Sequence, residues 1–255
     1  MLKLHHVSVR YGNSTALEDV SVSFRPAEVL TLIGPNGSGK STLCKAACGI
    51  LPCAAGFVKA DGIPLDSLDS RERARKIAYL PQSRSIPDIT AGRMVLHGRF
   101  PWLSWPRQAS AEDRRIALQA LEQTGGADLF DRPLRSLSGG ERQKVYIAMA
   151  LAQETDTVLL DEPTSFLDIR HQFQVAELAR RLTSLGKAVV MVLHDLPLAL
   201  ETGDRTAVLS EGKLVSVGDP ADLMAGDLFP RVFGVSLEAV QTASGTRYVC
   251  EQVKH

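Results

Sequence analysis

The sequence predicts an α/β fold: a mostly parallel sheet, an antiparallel β section ahead of it, and a helical section inserted into it. Three observations lead there. The apolar runs Val29–Ile33, Val158–Leu160 and Ala188–Leu193 are short, uncharged and bounded by Gly, Asp or His, as strands buried on both faces are. Strand and helix patterns alternate from residue 157 onward, as parallel crossovers require. Between about residues 85 and 155 the pattern is helical alone. A length of 255 residues suits one domain carrying a subdomain. We therefore divide the chain into a core of residues 1–84 and 156–225, a helical insertion of 85–155 and a tail of 226–255.

The elements follow in order. Val7–Tyr11 and Val20–Phe24 alternate apolar with polar residues around a turn at Tyr11–Ser14, a half-buried antiparallel pattern. Val29–Ile33 is a β-rich run that ends in a glycine-rich loop. Lys40–Ile50 reads as a helix, with Leu43, Ala46, Ala47 and Ile50 at helical spacing and Leu51-Pro52 as its stop. Residues 87–107, with Pro101, Trp102, Trp105 and Pro106, read as irregular. Ser110–Gly125 opens with a Ser-x-x-Asp box from Ser110 to Asp113. Gly140–Ala152 is a second helix, introduced by Ser138-Gly139. Thr157–Leu160 is a strand running into Asp161-Glu162-Pro163, and Phe173–Leu185 a helix. Ala188–Leu193 is a strand running into His194-Asp195. Leu196–Gly203 is a short helix, Thr206–Ser210 and Lys213–Val217 are strands, and Pro220–Met224 is a helix before a tail with no clear pattern.

Composition narrows the function classes. Lys plus Arg is 29 and Asp plus Glu is 29, so the net charge is zero. That argues against broad electrostatic binding to nucleic acid or anionic lipid while leaving a local phosphate site open. It also leaves little self-repulsion, which fits a subunit that works with a partner. No apolar stretch reaches the roughly 18–20 residues a bilayer span needs, and Met1–Val9 lacks the apolar core of a secretion signal. Cys44, Cys48 and Cys53 cluster, but Cys44 and Cys48 sit four apart in a helix with no fourth ligand near. With Cys250, they read as buried small hydrophobes of a reducing compartment.

Three motifs carry chemistry. Gly34-Pro35-Asn36-Gly37-Ser38-Gly39-Lys40-Ser41-Thr42 matches G-x-x-x-x-G-K-[ST] and stands between a strand and a helix. Its glycines let backbone N–H groups wrap phosphate oxygens. The helix N-terminus adds its dipole, Lys40 a point charge, and Ser41 a hydroxyl for Mg²⁺. Asp161 ends a buried strand where a carboxylate faces such a loop and holds Mg²⁺, and Glu162 is placed to orient or deprotonate an attacking water. Leu137-Ser138-Gly139-Gly140-Glu141-Arg142-Gln143 opens a helix with a hydroxyl and free amides, a second phosphate-binding end. One nucleotide has one terminal phosphate, so two such ends suggest that each closes on a nucleotide held by another copy.

Gly34–Thr42, Gln82, Leu137–Gln143, Val158–Glu162, Ser165–Asp168 and His194, in this order and spacing, resemble the nucleotide-binding subunit of an ABC transporter from Leu2 to about Met224. The resemblance implies a P-loop NTPase (ABC ATPase) core that binds ATP and Mg²⁺. Lys40, Gln82, Glu162 and His194 would be catalytic, with Ser41, Gln82 and Asp161 at the metal. Tyr11 would stack on adenine. Gly34 to Thr42, with Ser138, Gly139, Gly140, Glu141 and Asp168, would contact nucleotide across a head-to-tail homodimer. It further implies membrane permease subunits as partners, a periplasmic or surface substrate-binding protein acting indirectly, no nucleic acid, and a peripheral place on the cytoplasmic face of the cell membrane.

His97-Gly98-Arg99-Phe100-Pro101-Trp102 and Leu167-Asp168-Ile169-Arg170-His171-Gln172 resemble the ATPases of iron–siderophore, haem and vitamin B12 importers. By that resemblance Gly98–Pro101 meets the permease, while Trp102 and Trp105 are either part of that surface or core of the helical subdomain. Phe166 departs from the small residue or His common there, and the long C-terminal regulatory domain of many sugar-import ATPases is not expected. Ferric siderophore is the expected cargo, with haem and cobalamin as alternatives. A soluble ABC ATPase working on nucleic acid or the ribosome is disfavoured by the zero net charge and the absence of a basic arm. A module that binds ATP without turnover has no need of Glu162 or His194.

Overall fold

The computed structural model describes residues 1–82, 84–106, 108–165, 167–243 and 245–252; Phe166 lies outside them. The chain begins with β1 (Leu2–Tyr11), β2 (Ser14–Phe24), β3 (Glu28–Ile33), α1 (Lys40–Ala47), β4 (Ala55–Ala60) and β5 (Ile63–Pro64). Next come α2 (Ser70–Lys76), β6 (Ile77–Leu80), α3 (Ala91–Leu96), α4 (Ala111–Gln123) and α5 (Gly139–Ala152). The second half holds β7 (Thr157–Asp161), α6 (Ile169–Ser184), β8 (Ala188–Val192), α7 (Leu196–Thr202), β9 (Arg205–Ser210) and β10 (Lys213–Gly218). It closes with α8 (Pro220–Leu223), α9 (Leu228–Phe233), β11 (Val235–Thr242) and β12 (Gly245–Gln252).

Two main sheets result. The antiparallel one runs β2-β1-β4-β5; the other runs β10-β9-β3-β8-β7-β6, parallel from β9 to β6. The continuous apolar runs are explained by two cores, one on each face of the parallel sheet. Val29, Ile33, Val158, Leu160, Val189 and Met191 face the helices. Their neighbours Leu30, Leu32, Leu159, Val190 and Val192 join the core under the antiparallel sheet and α1. A period of two with both faces apolar leaves no polar position to break the run. Between β6 and β7 lie helices α3, α4 and α5, joined by loops.

The structure moves several expected boundaries. Helix α1 stops at Ala47, three residues before Ile50, because Gly49 adopts a left-handed φ of 66°. Gly49 N then donates to Ala46 O and Ile50 N to Lys45 O, both at 2.9 Å, the paired bonds of a Schellman close. Helix α6 starts at Ile169, four residues before Phe173, because the Asp168 carboxylate accepts from His171 N at 2.9 Å and caps it. The supposedly irregular stretch holds α3 and a 3₁₀ segment, His97–Trp102. Helix α3 has no readable period, since tertiary contact fixes it: Gly92 abuts Phe130, whose ring would lie 2.6 Å from an added Cβ. The tail forms a hairpin, β11–β12, tied to α7 by Arg247 Nη1 at 3.0 Å from Glu201 Oε2. Of the cysteines only Cys44 is buried; Cys48 and Cys53 are half-buried and Cys250 is exposed. Among the described residues, no helix is long and apolar enough to cross a membrane.

The Ser110–Asp113 box forms as expected, each residue bonding the other's backbone. It also anchors a buried cation that sequence reading placed on the permease surface. Arg99 is buried, with Nε 3.0 Å from Asp113 Oδ1 and Nη1 2.7 Å from both Glu154 Oε2 and Ala152 O. Of that segment, Phe100 faces outward. Trp102 is partly exposed, with its Nε1 donating to Gln153 O, whereas Trp105 is 90% exposed and belongs to no core. Burial opposes charge on Asp113, but the hydrogen bonds of Ser110 and Arg99 outweigh it and hold the carboxyl below the usual carboxylate range. A depressed pKa stabilises the fold above the unfolded value and loses that contribution as pH falls through the folded value. Asp113→Asn is expected to cost on the order of 2 kcal/mol at neutral pH. In thermal melts its Tm deficit should shrink below about pH 4; a deficit constant across the acid range would remove the ion pair as its source.

Candidate active site

Loops at the carboxyl ends of β3, β6, β7 and β8 line one open cleft of about 620 Å³, bordered by Ala16, Asn36 to Thr42, Gln82, Glu162 and His194. This is the edge of an open parallel sheet where ligands bind. The loop after β3 is tightly set. A Cβ on Gly34 would lie 2.1 Å from Leu209 O; one on Gly39, at φ 102°, would lie 2.8 Å from Ala16 O. Neither position admits a side chain, so the amides can approach a ligand closely. Lys40 is buried and folds back, with Nζ donating to Gly34 O at 2.8 Å and Pro35 O at 2.9 Å. Burial lowers its pKa; the charges of Glu162 and Asp161 act the other way. Ser38 Oγ is buried on the same loop without a hydrogen-bond partner among the described residues.

Two adjacent carboxylates end β7 in different surroundings. Asp161 Oδ1 accepts from Ser41 Oγ at 3.2 Å, and Oδ2 accepts from Tyr79 OH at 2.9 Å. Burial raises its pKa, opposed by those two bonds. Burial also raises the Tyr79 phenol, which therefore keeps its proton and donates. Glu162 turns the other way. Gln82 Nε2 donates to its Oε2 at 2.6 Å, Ser165 Oγ donates to the same oxygen at 3.0 Å, and His194 Nε2 lies 2.5 Å from Oε1. Its backbone is left-handed, φ 52°, a conformation costing a non-glycine residue on the order of 1 kcal/mol. Among the described residues, no group of three or more His, Cys, Asp or Glu forms a ready metal site. The oxygen donors of Ser41 and Asp161, with the amide of Gln82 in the same cleft, fit a hard cation such as Mg²⁺ that keeps part of its water shell.

The helix end expected to be the second phosphate site stands apart. Ser138, Gly140, Glu141, Lys144, Leu167, Asp168 and His171 border a separate hollow of about 330 Å³ that shares no residue with the first. Ser138 caps α5, its Oγ accepting from Glu141 N while Glu141 accepts from Ser138 N. That backbone bond, with further bonds from the Ser138 side chain and Arg132, holds the Glu141 carboxyl down at about 2. Gly139 opens the same helix. Tyr11 ends β1, 49% exposed, and does not border the cleft. Sequence reading missed the roles of Tyr79 and Ser165. A polar tip within the buried strand β6 was the available signal for Tyr79.

Residues 17–165 match the family model described as ABC transporter. The chain belongs to the ABC transporter ATP-binding family. This ABC ATPase is 38% identical over 251 residues to the iron(3+)-hydroxamate import ATP-binding protein of Bacillus subtilis, spanning 98% of the chain and 93% of that protein. It is 42% identical over 241 residues to the hemin import ATP-binding protein of Rhodococcus jostii, spanning 94% and 82%. Among solved structures it resembles an inward-facing ABC transporter assigned to the metal-chelate type. That match has a TM-score of 0.85 and 25% identity, covering 99% of this chain and 97% of that one. It also resembles an ATP-binding cassette solved as a post-hydrolysis dimer with ADP and phosphate, TM-score 0.77 and 29% identity, covering 86% and 99%. The family resemblance and fold class read from the motifs are thereby borne out.

Proposed function

We propose that this ABC ATPase energises import of an iron chelate, with a ferric siderophore as cargo, through a membrane permease that it serves from the cytoplasmic face. The observation that carries the catalytic part is the Glu162 carboxylate held over the phosphate loop by Gln82, Ser165 and His194. Lys40 and the amides of residues 34–42 bind the phosphates of ATP. Glu162 takes the proton of the attacking water, and His194 and Gln82 fix that carboxylate in place. Mg²⁺ would sit at Ser41, Asp161 and Gln82; when bound, it neutralises charge developing on the β- and γ-phosphates. By the family resemblance Tyr11 would supply the adenine contact, although its exposed side chain at the end of β1 does not border the cleft. The separation of the two hollows supports a head-to-tail dimer in which Ser138, Gly139, Gly140, Glu141 and Asp168 of one copy complete the cleft of the other. The core of 1–84 and 156–225 would bind nucleotide, and the helical insertion of 85–155 would carry the second half-site.

The cargo rests on the relatives, among which a hydroxamate importer stands beside a hemin importer. Haem is therefore the second reading. Cargo chemistry is set outside this chain, by a permease and a substrate-binding protein. The test is purification from native membranes in mild detergent, with MgATPase assayed in reconstituted vesicles. A multi-span permease in equal amount, with turnover stimulated by its binding protein carrying a ferric siderophore, is expected. Stimulation by haem alone would transfer the assignment to haem. Recovery with nucleic acid and no permease would end the importer reading.

A further inference from the structure

Glu162 is held in a left-handed backbone conformation, φ 52°, and its own side-chain bonds do not account for that. The carboxylate bonds of Gln82, Ser165 and His194 fix the tip; something must also fix the main chain that follows. Ser165 N donates to Glu162 O at 3.3 Å, a weak bond. A second bond comes from elsewhere. Gln143 of α5 is buried, and its Nε2 donates to Pro163 O at 2.5 Å. Its other end is also committed: Gln143 Oε1 accepts from Arg84 Nη1 at 3.0 Å. Arg84 stands two residues beyond Gln82, with its guanidinium 4.6 Å from the centroid of the Tyr146 ring, and Tyr146 OH donates to Ser85 O at 3.0 Å. One buried amide thus links three segments: the stretch after β6, helix α5 and the turn that carries Glu162.

We propose that Gln143 is a positioning residue for hydrolysis, holding the strained backbone of Glu162 through the Pro163 carbonyl and making that hold depend on Arg84. It touches no substrate. A buried amide with one donor and one acceptor spoken for is a rigid spacer, because losing either bond strands a polar group away from water. Movement of Arg84 would release Gln143 and let the turn relax away from the geometry in which the carboxylate meets water. The inference rests on the proposed role of Glu162 as the base.

The test uses Gln143→Met, which keeps length and volume and removes both hydrogen bonds. The expected result is a kcat for MgATP hydrolysis lowered about tenfold, with affinity for a fluorescent ATP analogue within about twofold of wild type. Placed in a Glu162→Gln background, Gln143→Met should leave ATP-dependent dimerisation intact, since the lost step is chemistry. Gln143→Glu keeps an acceptor for Arg84 but sets an oxygen against Pro163 O, and should lose turnover as the Met variant does. An unchanged kcat overturns the proposal. So does loss of dimerisation, which would place Gln143 in the orientation of α5 instead. If Gln143→Met fails to fold, Arg84→Met at its half-buried site tests the same bridge, with the same fall in kcat expected and the same readings overturning it. Absence of turnover in the wild-type chain would instead defeat the reading of Glu162, a distinguishable failure.

Discussion

Glu162→Gln is expected to lower ATP turnover about 10²- to 10⁴-fold, the usual contribution of a positioned general base, while leaving nucleotide binding intact. The substitution keeps the shape of a side chain that already meets Gln82, Ser165 and His194. It removes the carboxylate that can take a proton from water. Nucleotide then binds but is not consumed, and the ATP-bound dimer should accumulate. Size-exclusion chromatography with and without MgATP reads the dimer; phosphate release reads the turnover. A wild-type rate in this variant would assign the base to another group, and the buried Asp161, with its raised pKa, would be the next to examine.

Lys40→Ala should act one step earlier. The ammonium is buried, and its bonds go to carbonyls of its own loop, Gly34 O and Pro35 O. Nucleotide binding therefore exchanges neutral acceptors for charged phosphate oxygens, and the gain lies in the difference. A charge-assisted hydrogen bond contributes about 1.5–3 kcal/mol, so affinity should fall roughly 10- to 100-fold. Alanine is a good helix former at the first position of α1, so the loss should appear in a fluorescent-nucleotide titration with the fold preserved. Undiminished affinity would remove Lys40 from the site.

How much of this was legible depends on how local each feature is. The phosphate loop is contiguous and flanked by its strand and helix, so Gly34–Thr42 could be read directly. The Ser110–Asp113 box is equally local and formed as read. Asp168 was visible only as a functional residue. Its second part, capping α6, moved that helix four residues toward the N-terminus because Ile169 to Gln172 carry no apolar period. Helix α3 escaped because packing of Gly92 on Phe130 makes it, and composition does not show that. The family resemblance places Arg99 at the permease surface with the whole of Gly98–Pro101; its acid partners lie 14 and 55 residues away and are not visible in that segment. The Arg84–Gln143–Pro163 bridge spans three segments and leaves no trace in any one of them.

Strand β3, which carries the phosphate loop, pairs only with strands made much later: Leu30 stands opposite Val190 of β8 and Arg205 of β9. During synthesis the loop therefore emerges long before its platform. A nascent chain of 100 residues would hold the whole glycine-rich motif and still have no nucleotide site, because neither neighbour of β3 exists yet. Closing loops of that length is slow and leaves apolar edges waiting in solution. ATP cannot act as a template for the early chain; it can only select the finished sheet. The ribosome must release roughly four-fifths of the protein before ligand stabilisation begins, which makes the interval before β9 emerges the time of greatest exposure to aggregation and to chaperones.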